Sequence, residues 1–277
     1  MMNKRCLSHA IMILSLMPLT LMAQNTATTN HSAKINKIIS ATSIGLQMNG
    51  TTKEFHDQFS QNPLGLNPST NDQMMNIFKH NFDQKTLVDD AFQTFQDNYN
   101  AQYADSVINW IHSKASQQVL HTKQDYYTLQ GIRKRVVNKY ELEQNPPSQE
   151  RTNIIDSLAH RTSAAAAEIN ANVKMFRAVV KAFSRLSDQR TFSDAQIEGF
   201  VNNYRSQMKS QMDQEIQKQL LVMYHSIDNQ TLKKYSSFYT TEPGKWLNKT
   251  TLNSMQEAFD AATDRFLKSV EKLNAEQ

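Results

Sequence analysis

SDAQIEGFVNNYRSQMKSQMDQEIQKQLLVMYHSID, residues 193–228, carries apolar side chains at Ile197, Phe200, Val201, Tyr204, Met208, Met212, Ile216, Leu220, Met223 and Ile227. A spacing of three or four residues held over that length is the period of the α-helix and predicts one long amphipathic helix with a single buried face. Its start is marked by Ser193 and, three residues on, Gln196, a pair able to satisfy each other's free backbone N–H groups as a capping box. Asp228 then serves as N-cap of a shorter helix carrying Leu232, Tyr235, Phe238 and Tyr239. After Pro243-Gly244 the stripe resumes at Leu247, Met255, Phe259, Ala262, Phe266, Val270 and Leu273, so the last helix is expected to run almost to the C-terminus.

Outward from this stretch the same period returns. Leu158, Thr162, Ala165, Ile169, Val173, Phe176, Val180 and Phe183 hold it through four alanines at 164–167, whose short side chains are expected to let a neighbouring helix approach closely. Residues 34–48 read as a first helix stopped by Asn49-Gly50, where glycine is expected to take a left-handed C-terminal conformation. QNPLGLNPS at 61–69 is a loop, EQNPPSQ at 143–149 a second break, and 125–140 the least regular region, read as a helix. Six glycines and six prolines in 277 residues argue against a sheet-rich fold with its many tight turns. The expected architecture is an all-α bundle of long antiparallel amphipathic helices in two related halves. The expected segments are a leader at 1–23, a flexible polar segment at 24–33, an N-terminal half at 34–142, a linker at 143–149 and a C-terminal half at 150–277.

The chain opens with a basic stretch, MMNKR, then an apolar run of about a dozen residues, then a polar segment, which is the order of a secretory signal peptide with cleavage after Ala23. His9 and Pro18 interrupt the run, which is too short for a membrane span of about 20 residues. The expectation is a mature chain that is soluble and periplasmic or secreted. The single cysteine, Cys6, lies in the leader, so the mature chain has no disulfide, thiol nucleophile or thiolate metal site. Loss of Lys4 and Arg5 leaves 28 basic against 26 acidic residues. With the tightest basic cluster only Arg133-Lys134-Arg135, a nucleic-acid partner is not expected.

An internal repeat links the two halves. Sliding residues 83–120 onto 211–248 places Phe95 on Met223, Tyr99 on Ile227, Val107 on Tyr235, Trp110 on Phe238, Ile111 on Tyr239 and Val119 on Leu247. In the C-terminal copy, Leu232, Phe238, Tyr239, Thr241, Pro243, Gly244 and Lys245 form a capped short helix, an aromatic pair, a glycine and a further helix. This pattern over roughly the last 80 residues resembles the exported bacterial family known only as domain of unknown function 2059. The 83–120 copy resembles a degenerate relative, with Trp110, Ile111 and Ser116 in place of the aromatic pair and glycine. The resemblance implies an exported helical domain and assigns no reaction, cofactor or catalytic residue.

Pro243-Gly244 has two readings. It sets a helix corner, with proline pre-set for a first helical turn and glycine allowing close packing, and the structural motif includes Trp110, the first copy's match to Phe238. Alternatively Tyr235, Phe238, Tyr239, Lys245 and Trp246 form a binding surface. Elsewhere chemistry is sparse: no nucleophile elbow, phosphate loop or dinucleotide fingerprint is present. His121 with Asp125, and Asp156 with His160, stand four apart without a third ligand and read as surface ion pairs, so neither a metal nor another cofactor is expected. Met175, Met208, Met212, Met223 and Met255 sit on apolar stripes and are expected to fill core, the alternative being an adaptable groove. The functional expectation is a non-enzymatic interaction or binding module acting on another envelope protein or peptide. Its competitors are a carrier of a lipid or other small apolar ligand and an unrecognised envelope hydrolase.

Overall fold

The computed structural model describes residues 19–187 and 191–275, with side chains from residue 30 onward. The leader at 1–23 falls for its greater part outside the described residues. Among them are twelve helices and no strand. The N-terminal part consists of α1 (Leu19–Thr42), α2 (Ile44–Phe59), α3 (Pro68–Asn81), α4 (Gln84–Asp97), α5 (Ala101–Ile111), α6 (Lys114–Tyr126) and α7 (Leu129–Gln144). The C-terminal part consists of α8 (Gln149–Arg161), α9 (Ala164–Leu186), α10 (Asp194–Met223), α11 (Asn229–Phe238) and α12 (Glu242–Ala275). The all-α bundle is as expected, and the long helices are concentrated at its C-terminal end.

Several boundaries follow sequence signals closely. Ser193 and Gln196 make both bonds of the capping box, and Asp228 accepts the Thr231 N–H at 2.8 Å. Asn67 caps α3 with Pro68 in its first turn. The break before α8 spans 145–148 and separates helices, but not cores: one apolar cluster runs from Ile35 to Val270 through both parts of the chain. Its spine is α12, packed along α4 and α9, with Phe266 edge-on to Phe78 at 5.8 Å and Phe78 stacked on Phe82 at 4.3 Å. Arg265 of α12 grips Asp90 of α4 at 2.8 and 3.3 Å.

Four expectations change. The first break falls at Ser43, whose φ of 58° is left-handed, and Asn49-Gly50 lies inside α2. Gly50 is needed for space: a Cβ there would stand 3.0 Å from the Tyr127 ring. Segment 24–33, expected to be flexible, belongs to α1. The stripe from Leu158 to Phe183 is cut at Ser163, φ 51°, so α8 and α9 can diverge where a single helix could not. In 125–140 the chain turns at Tyr127-Thr128 and restarts as α7, which turns Leu129, Val136 and Tyr140 outward, all more than 60% exposed.

Two helix starts coincide when 83–120 is laid on 211–248, that of α5 on that of α11 and that of α6 on that of α12, whereas the start of α4 falls inside α10. Two positions matched by the repeat touch each other, since Trp110 stacks on Phe238 with ring centroids 4.1 Å apart and planes within 9°.

Glu242 opens α12, one residue earlier than the proline rule suggests, with Thr241 accepting the Gly244 N–H at 3.2 Å. Gly244 is buried, and a Cβ on it would overlap the Phe238 carbonyl oxygen. Gly244→Val should therefore lower the melting temperature by about 3–10 °C, followed by circular dichroism at 222 nm. An unchanged melting temperature would contradict the corner.

Candidate functional site

The stripe on α10 does not bury a continuous face. Its N-terminal end packs on α9 through Ile197, Val201, Val173 and Val180, and its C-terminal end enters the main core through Leu221 and Met223. Between them Tyr204, Met208 and Met212 face a cavity of about 550 Å³. Opposite stand Gln47, Gly50, Thr51, Glu54 and Phe55, one face of α2 at helical spacing. The start of α9 contributes Ala164, Ala167 and Glu168, and the end of α6 contributes Lys123, Tyr126 and Tyr127. The alanine run thus leaves room for a cavity where close helix approach was expected. Met175, Met223 and Met255 belong to the buried core as expected, the last two also reaching the cavity wall, and only Met208 and Met212 lie outside that core on the cavity side.

Of the residues singled out as a surface, two reach this wall. Tyr235 and Tyr239 line it with their hydroxyls 3.2 Å apart, Tyr235 fully buried. Burial raises both phenols, Tyr239 to about 12, so each stays a neutral hydroxyl at neutral pH. Of the others, Phe238 and Trp246 hold helices together and Lys245 does not. Phe238 stacks on Trp110, Trp246 donates Nε1–H to the Asn98 carbonyl at 3.1 Å, and Lys245 pairs with Glu242 at 2.7 Å on the surface.

Two charged groups in the wall did not stand out in the sequence. Glu168 accepts from the Thr51 hydroxyl through Oε2 at 3.0 Å and from the Asn172 amide through Oε1 at 2.9 Å. Burial, reinforced by nearby Glu54, holds its pKa above the ordinary carboxylate value against these two hydrogen bonds. Lys123 donates to the Thr42 carbonyl at 3.1 Å and to Gln47 Oε1 at 3.2 Å, both neutral, and burial lowers its pKa to about 8. Burial raises the phenols of Tyr127 and Tyr224 and takes Tyr204 to about 12. Glu215, also on the wall, is matched by Lys218 at 3.1 Å.

His121 and Asp125 form a surface contact at 3.7 Å, and Asp156 accepts from Gln217 at 2.6 Å. Among the described residues no group of three His, Cys, Asp or Glu side chains is placed to hold a metal ion. No described helix is long and apolar enough to cross a membrane. No family model matches the chain, and neither does any curated protein or solved structure.

The half-buried carboxylate gives a test with a definite sign. Because the folded-state pKa of Glu168 lies above 4.5, its ionised form costs stability at neutral pH, and the cost is relieved as pH falls through the folded pKa. Glu168→Gln should raise the melting temperature at neutral pH by about 2–6 °C and lose that advantage below the ordinary carboxylate range. Thermal scans across pH measure this; an advantage independent of pH would contradict it.

Proposed function

We propose that this protein is a non-enzymatic binding protein of the cell envelope that encloses a small amphipathic molecule between α2, α9, α10 and α12. The observation that carries the reading is the cavity, walled by mobile thioethers on one side and by hydroxyls, amides and two charges on the other. Polar groups fix a ligand's orientation while methionines adapt to its apolar part. The lining contains no histidine, serine or cysteine, so it cannot supply a Ser–His or Cys–His pair. The exported setting rests on the leader-like N-terminus, the absence of thiols after it and the family resemblance of the last 80 or so residues. The two coinciding helix starts, of α5 with α11 and of α6 with α12, support an origin of the halves by duplication. The outward apolar side chains of α7 favour contact with another envelope protein as a second reading, and two of them, Ile132 and Val136, line a more open groove of about 970 Å³ between α7 and α10.

Native mass spectrometry of the mature chain, purified gently from its host's envelope, tests the proposal. The expected spectrum shows added mass of a few hundred daltons that disappears on denaturation. Ala167→Trp, which fills the cavity from α9, should remove the added mass while leaving the helical circular dichroism intact. Added mass that persists in Ala167→Trp, or a bare mass in both proteins, would overturn the reading.

A further inference from the structure

We propose that the enclosed molecule is a short peptide with free ends, its carboxylate on Lys123 and its ammonium on Glu168. The inference rests on the cavity being a ligand site and adds the ligand's chemical class.

Both charges lack a counter-ion among the described residues. Lys123 is held by a carbonyl and an amide oxygen, and Glu168 by a hydroxyl and an amide N–H. Burying an unpaired charge is costly, and a ligand that brings both opposite charges removes the cost at both ends. The two groups address the same face of one helix. Lys123 binds Gln47 and Glu168 binds Thr51, four residues further along α2, which is an axial rise of roughly 6 Å. A ligand matching them has opposite charges at separate points, as the termini of a short peptide do, and a lone ammonium or carboxylate satisfies only one.

The rest of the wall fits such a backbone. Gln58 and Gln219 offer amide donors and acceptors, and Met208 and Met212 offer soft contact to side chains of varied shape. At the Glu168 end, Glu54 on the rim adds a second negative charge, and Tyr127 and Tyr204 stand near enough to Glu168 for its charge to raise their pKa values. Tyrosine rings beside a carboxylate suit an alkylammonium group. Lys53 is engaged with Asp57, and Arg135 stacks over Tyr126 with its guanidinium carbon 4.6 Å from the ring centre, facing Glu54 from the rim.

The test uses the full mature chain after removal of any copurified compound, and four versions of trileucine: free, N-acetylated, C-amidated and blocked at both ends. Displacement of 1-aminoanthracene, an uncharged fluorescent probe, reports occupancy of the cavity. Free trileucine should bind best, and blocking either end should weaken it about tenfold or more. Lys123→Met should abolish the penalty for amidation alone, and Glu168→Gln the penalty for acetylation alone. Equal binding of the free and doubly blocked peptides would overturn the inference and leave the cavity as a ligand site. So would probe binding that no version displaces. A probe excluded from the wild type as fully as from Ala167→Trp would overturn both readings.

Discussion

The guanidinium of Arg151 holds the C-terminal end of α10. It donates to the carbonyl of Ile227 at 2.6 Å, to the carbonyl of Tyr224 and to Asn229 Oδ1 at 3.1 Å, closing the turn between α10 and α11 from its place on α8. A helix ends with carbonyls that have no partner within it, and a cation there meets both the unmet hydrogen bonds and the negative end of the helix dipole. At the other end the capping box and the packing against α9 fix the start of the same helix. A helix of 30 residues secured at both ends is stiff enough to bridge a gap that its middle does not fill.

The cavity is the consequence. Closing it would require α10 to bend inward, breaking either the Arg151 contacts or the apolar seam with α9. Small residues on the opposing walls, Gly50 and Ala167, keep the space open from the other side, with Gly50 admitting the Tyr127 ring against α2. The wall then carries side chains that a packed core would reject. An unpaired carboxylate and an unpaired ammonium both lower stability, and sites of this kind recur where binding is served at the expense of folding. The stability comes from elsewhere, above all from α12 and the phenylalanines stacked along it.

Much of the fold was legible in the sequence because its signals are local. Periodicity, the Ser193 capping box and the Asp228 cap each depend on residues within one or two turns of each other. The kinks at Ser43 and Ser163 were not, since neither position carries a glycine and each takes its left-handed conformation from the packing around it. Gly50 resembles a stop signal in the sequence because a helix-interior glycine and a C-terminal one look alike until the neighbouring Tyr127 is known. Within the site, Tyr235, Tyr239 and the methionines of α10 were visible as stripe members. Whether a stripe faces core or space depends on what lies across from it, from elements more than a hundred residues away such as α2. Glu168 and Lys123 carried one faint signal: each is a charged residue close to an apolar stripe, Glu168 with Asn172 one turn later beside Ile169 and Val173.

The central claim, that the middle of α10 faces an open cavity, is tested most directly by residue-resolved oxidation of methionine with dilute peroxide. A thioether oxidises at a rate set by its access to solvent. Met208 and Met212 should oxidise well before Met48, Met74, Met75 and Met175, which the core encloses. Equal rates across these six, or protection of Met208 and Met212 to the level of Met175 in the ligand-free chain, would show that α10 packs along its whole length and would contradict the account.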